Sequence, residues 1–147
     1  MKLSTRARYG TRALLDIALQ ADEKPVLLKD VAQRQAISLL YLERIITPLI
    51  TTGILRSTRG PKGGVWLARR PEEVNLSTVI RLLEGSTSPT ECIDNPGVCS
   101  RSRDCVTREL WSEMKEATDK VLESMTLRDL IERQEKKSQP AEMMYYI

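Results

Sequence analysis

LKDVAQRQAISLLYLERIITPLITTGILRSTRGPKGGVWLA, residues 28–68, is the stretch whose reading decides the fold. Leu28 to Gln35 predict a short helix with Val31 and Ala32 turned inward. After a tight break at Ala36 and Ile37, Ser38 is placed to cap a second helix running from Leu39 to about Thr52. Two short helices joined by a tight turn, with small Ala32 where they must cross closely, make a helix-turn-helix. Pro48 is awkward there, because it lacks the amide that bonds one turn back, so a kink or an end near Thr47 is expected. Gly53 closes the segment. Ile54–Ser57 and Val65–Ala68 then predict two strands around Thr58–Gly64, a tip rich in turn formers and cations. A β-hairpin directly after a helix-turn-helix is a wing. The expected fold is mainly α with a small β-hairpin wing: a winged helix-turn-helix domain plus a long dimerisation helix.

Upstream, residues 4–21 predict a helix capped by Ser4, with Ala7, Leu14, Leu15, Ala18 and Leu19 as its apolar stripe. Arg6, Arg8 and Arg12 in its first turns have the wrong sign for the helix dipole; they form a solvated face or meet a phosphate. Downstream, residues 75–84 fit another helix, and residues 105–124 fit the longest one. Thr126-Leu127-Arg128-Asp129 reads as a capping box opening a last helix to about Lys137. The expected units are a DNA-binding domain over residues 1–84, a cysteine-bearing loop over 85–104, a dimerisation helix and C-terminal helix over 105–137, and a frayed tail over 138–147. Val106, Leu110, Met114, Ala117, Val121 and Met125 form a narrow seam suited to a second helix, and a homodimer gives it one.

The chain has 147 residues, no phenylalanine, and 4% aromatics, so its core is aliphatic and modest. No apolar run is long enough to span a membrane, and the amino terminus enters a helical pattern directly. A cytoplasmic protein with reduced thiols is expected. The formal net charge of +3 hides an asymmetry. Residues 1–70 hold 13 Lys/Arg against 5 Asp/Glu, whereas residues 91–147 hold 9 against 12. A basic front half points to an anionic polymer, here double-stranded DNA. Enzymatic work is disfavoured, because no histidine exists to act as a base and no phosphate-cradling loop is present.

On the second helix, Ser38, Leu39, Leu40, Tyr41, Glu43, Arg44 and Thr47 should face outward, near the end where such helices meet base edges. Leu42, Ile45, Ile46 and Leu49 should be core. Tyr41, Arg44 and the Ser38 hydroxyl suit phosphate oxygens. Glu43 repels phosphates but can accept from a cytosine amino group, so its worth depends on the operator. At the hairpin tip, Arg59 suits a narrow minor groove, Gly60 and Pro61 let the backbone come close, and Lys62 adds a phosphate contact. Trp66 and Trp111 are expected to be structural.

Cys92, Cys99 and Cys105 are the only cysteines, spaced C-x6-C-x5-C among turn formers. An odd count argues against a self-contained disulfide framework. Three such thiols are inert, or hold zinc, or hold an iron–sulfur group.

LSTRARYG (3–10), KDVAQRQAISLLYLERI (29–45), STRGPKGGVWLAR (57–69), the cysteine trio and CVTRELWSEMKEA (105–117) together resemble the winged-helix regulators typified by the iron–sulfur cluster regulator IscR. The resemblance spans about residues 1–131. It implies a homodimeric transcription factor with a [2Fe–2S] cluster on Cys92, Cys99 and Cys105, responding to iron–sulfur supply or oxidative stress and controlling cluster-assembly genes. Sibling branches of the family imply two alternatives, a cluster-free regulator of cysteine metabolism acting through a protein partner and a nitric oxide sensor. One position departs from the pattern. Cluster-binding members carry a histidine three residues after the third cysteine, and here that residue is Arg108. A guanidinium offers iron no lone pair, so the fourth donor must be a carboxylate (Glu91, Asp94, Asp104 or Glu109), a hydroxyl such as Thr107, a partner-subunit group, or an exogenous thiol or water.

Overall fold

Several helices begin where a small polar side chain closes the first turn. In the computed structural model, which describes residues 2–20 and 24–139, Ser4 Oγ accepts from the Ala7 N–H at 3.1 Å and opens α1 (Thr5–Leu19). Ser38 does the same for the Tyr41 N–H at 3.3 Å, opening α3 (Leu39–Thr51) behind α2 (Leu28–Gln35). The turn between α2 and α3 is made by Ala36 in the left-handed region (φ 53°), while the Ile37 N–H closes back onto the Ala32 carbonyl at 2.9 Å. Strands β1 (Leu55–Thr58) and β2 (Gly64–Leu67) pair antiparallel, with Leu55 opposite Leu67 and Thr58 opposite Gly64. A 3-10 turn at Pro71–Glu73 leads to α4 (Leu76–Glu84). Then come α5 (Glu91–Asp94), a second 3-10 turn (Pro96–Val98), α6 (Val106–Glu123) and α7 (Leu127–Ser138). The fold is mainly helical with one hairpin, as the sequence predicts.

Helix α1 is the central post. Ala7, Ala13, Leu14 and Ile17 pack with Val31 of α2, Leu42, Ile45 and Leu49 of α3, and Leu83 of α4. Gly10 lets these helices approach. A Cβ built there would stand 2.6 Å from Leu83 Cδ1 and 2.8 Å from Ile45 Cγ2. Gly10→Ala therefore overpacks the three-helix junction and should cost about 1–3 kcal/mol, measured as a lowered urea midpoint. An unchanged midpoint would show that the junction has slack.

Pro48 corrects an expectation. It does not end α3, which continues through it to Thr51. Buried Ile45, Ile46 and Leu49 grip the helix on both sides of the proline. The missing bond falls near exposed Arg44 and Thr47, where water can replace it. The other differences are smaller. Helix α1 is shorter than residues 4–21, each strand shifts by one residue, and the cysteine segment holds a turn of α-helix and a 3-10 turn. Residues 21–23 and 140–147, the latter being most of the expected tail, lie outside the described residues.

Two long-range pairings have no counterpart in the sequence pattern. Val26 bridges Val65 through two 2.8 Å backbone bonds, bracing the wing against the segment before α2. Asn75 bridges Thr126: the Leu76 N–H donates to the Met125 carbonyl at 2.9 Å and the Leu127 N–H to the Val74 carbonyl at 2.8 Å. Asn75 Nδ2 adds a bond to the Glu123 carbonyl at 2.8 Å. The carboxyl end of α6 is thereby pinned to the start of α4. The rest of α6 has no buried residue, and Val106, Leu110, Met114, Ala117 and Val121 all stand exposed.

Candidate nucleic-acid interface and cysteine loop

The exposed face of α3 carries Ser38, Leu39, Leu40, Glu43, Arg44 and Thr47, while Leu42, Ile45, Ile46 and Leu49 are buried, as the spacing predicts. Tyr41 is half-buried. Its ring meets Tyr9 of α1 edge-on, with centroids 6.3 Å apart. Above Tyr9 sit the guanidiniums of Arg8 and Arg12, at 5.9 and 5.6 Å from the ring. Arg12 also donates to the Gln35 side chain at 3.1 Å and to its carbonyl at 2.9 Å, capping the end of α2. Behind them Asp16, only 6% exposed, receives Arg34 and, at 2.6 Å, Gln35 Nε2. A buried carboxylate this well partnered is stable only in that geometry. The turn that aims α3 is thus locked from α1. The sequence left Arg12 as solvated or phosphate-facing and offered no sign of the tyrosine pair; it is a brace.

The wing tip presents Arg59, Gly60, Pro61 and Lys62, all exposed. Gly60 has φ +106° with open space around it, and the Gly63 N–H returns to the Gly60 carbonyl at 2.9 Å. Gly63 admits no side chain, since a Cβ would meet the Thr58 carbonyl at 2.4 Å. Between α3 and the wing lies a groove of about 490 Å3. Glu43 and Thr47 line one wall and Thr58 and Arg59 the other. The structure brings the acidic and basic residues singled out from the sequence to the same cleft.

The cysteine loop joins α4 to α6. Cys92 sits in α5, Cys99 follows the second 3-10 turn, and Cys105 is the residue before α6; all three are free thiols. The Thr107 hydroxyl and the Arg108 backbone N–H draw the Cys105 thiol below its ordinary range. Thr90 Oγ1 lies 3.3 Å from Cys92 Sγ. Arg108 is a tether between helices. Its Nε donates to the Cys92 carbonyl at 3.0 Å, tying α6 to α5. Asp94 accepts from Ser86 and, at 2.7 Å, from Ser88, and these hydroxyls hold its carboxyl below the usual carboxylate range. The Ser102 hydroxyl is buried and has no hydrogen-bond partner among the described residues.

Three soft sulfurs and an orphaned hydroxyl within one short segment fit a thiophilic metal group by donor chemistry. They are not gathered in advance. Among the described residues no three Cys, Asp or Glu side chains stand where one ion could be held. No helix among the described residues is long and apolar enough to cross a membrane.

The chain matches the Rrf2 family model, described as an iron-dependent transcriptional regulator, over residues 3–133. The protein named rrf2 from Nitratidesulfovibrio vulgaris is 45% identical over 131 residues, covering 89% of this chain and 87% of that one. Among solved structures, IscR from T. potens superposes with a TM-score of 0.80 at 36% identity, over 99% of this chain and 97% of that one. CymR, titled the global cysteine regulator of B. subtilis, gives a TM-score of 0.75 at 35% identity, over 90% and 98%.

Proposed function

This chain belongs to the Rrf2 family of transcriptional regulators, and we propose that it binds operator DNA as a homodimer whose fit is set by a metal group in the cysteine loop. It is a DNA-binding regulator and no enzyme. In our reading the group is a [2Fe–2S] cluster held by Cys92, Cys99 and Cys105, and the genes controlled are those of iron–sulfur cluster biogenesis. One observation carries the proposal: the segment with the three thiols is the connection between the DNA-binding head and α6, and Arg108 ties its α5 turn to α6.

The division of labour follows from the residues. Helix α3 enters a major groove, with Ser38, Tyr41 and Arg44 on phosphates and Leu40 beside a base edge or a thymine methyl. Arg59 enters the adjacent minor groove, with Gly60 and Pro61 keeping the tip thin and Lys62 on the backbone. Glu43 filters operators, since its charge is tolerated only opposite a base that donates to it. The exposed seam of α6 pairs with its copy, so two heads address two half-sites. When bound, the cluster supplies one-electron chemistry and lability toward oxidants. The protein's part is to hold it through three sulfurs and to transmit its presence along α6.

Anaerobic purification with an absorbance spectrum and iron and sulfide assays tests this. The full chain should be coloured and carry both elements, and Cys92→Ala should lose most of each. A colourless, iron-free protein would sink the cluster and favour the second reading, a cluster-free regulator of cysteine metabolism working through a protein partner. That alternative draws on the CymR likeness and on the arginine standing where cluster-binding relatives have histidine.

A further inference from the structure

Resting on the metal-binding reading above, we propose that the hydroxyl of Ser102 is the oxygen donor that completes the three-sulfur set of Cys92, Cys99 and Cys105. Ser102 lies on the turn midway between Cys99 and Cys105, and its N–H donates to the Cys99 carbonyl at 3.1 Å. Its neighbours Ser100, Arg101, Arg103 and Asp104 are exposed, as polar turn residues normally are. Ser102 alone is buried, at 7% exposure, and its Oγ finds no partner among the described residues. Burying an unpartnered hydroxyl opposes folding. The position makes physical sense when something else completes it.

The competing donors are committed or solvated. Asp94 is engaged by Ser86 and Ser88, and the Thr107 hydroxyl by Cys105 Sγ at 3.2 Å. Glu91, Asp104 and Glu109 are exposed, where hydration competes with ligation. Ser102 offers an oxygen lone pair already stripped of water. On ligation its O–H bond breaks, the proton leaves to solvent, and the freed electron pair forms the bond to the metal; nothing is oxidised or reduced.

The test compares the full chain with Ser102→Ala and Ser102→Cys, each loaded anaerobically with ferrous iron and sulfide. Iron loss to a chelator is followed by absorbance, and the melting temperature of each metal-free protein is measured separately. Ser102→Ala should lose iron about tenfold faster, while its metal-free form melts at the same temperature or higher, because an unpaired hydroxyl has gone. Ser102→Cys should hold iron longer than the parent, through a fourth sulfur. A parent that holds iron and a Ser102→Ala variant that releases it at the same rate overturn the assignment of Ser102 alone. A metal-free Ser102→Ala that melts lower also overturns it, since the hydroxyl would then be structural. A parent that takes up no iron overturns the underlying metal reading.

Discussion

Leu110→Glu should produce a monomer that no longer binds a full operator. Leu110 lies on the α6 seam and is 50% exposed, flanked by Val106 at 75% and Met114 at 36%. A helix that packs one side on α4 and α5 and leaves this apolar stripe open is expected to pair with a second copy along it. Glutamate at that point puts a charge into the apolar seam from each copy, and two like charges meet in a drying interface. Losing the dimer uncouples two half-site contacts that were effectively one binding event. Operator affinity should fall by more than about 100-fold. Sedimentation or size-exclusion measurements give the oligomeric state, and a gel-shift titration gives the affinity. A variant that stays dimeric would mean that the seam packs elsewhere. A monomer that binds as well as the parent would mean that one head suffices.

The second large effect is expected at the wing. Arg59→Ala removes the guanidinium from a hairpin tip thin enough to enter a minor groove, beside exposed Gly60 and Pro61. The tip backbone is held by the bond between Gly63 and Gly60 and by the Val26 bridge, so the substitution should not unfold the wing. The loss should be about 1–3 kcal/mol, roughly 10- to 100-fold in affinity. It should also erase any preference for A/T-rich flanks, whose narrow minor groove is what an arginine senses. Fluorescence titrations at physiological salt, on operators differing only in their flanks, separate the two components. A uniform loss across flanks would reassign Arg59 to a phosphate; no loss at all would remove the wing from the interface.

Most of the head is legible in the sequence because its signals are local. Ser4, Ser38 and Thr126 cap helices in the structure as their positions predict, and the buried set of α3 follows its period. Pro48 misleads because a local rule yields to packing: the three aliphatic anchors around it outweigh one missing bond. The Val26 and Asn75 bridges are invisible because each is a single pairing between distant segments, leaving no period to detect. Around the cysteines the sequence offers three thiols as candidate donors and nothing about their surroundings. Ser102 looks like one more solvated turn residue between Arg101 and Arg103, and no pattern distinguishes a serine that turns inward. Arg108 can be read as a non-ligand from its chemistry, but its bond to the Cys92 carbonyl depends on how α5 stacks beside α6.

The bonds from Asn75, Leu76 and Leu127 give α6 one fixed end. Its 18 residues extend about 27 Å from that fulcrum, and Cys105 sits at the far tip. Arg108 ties that tip to α5, and Arg81 and Thr87 hold Asp119 further along the helix. A change of structure around Cys105 is therefore expected to be felt along a helix braced against its neighbours over its length, rather than through a flexible tether.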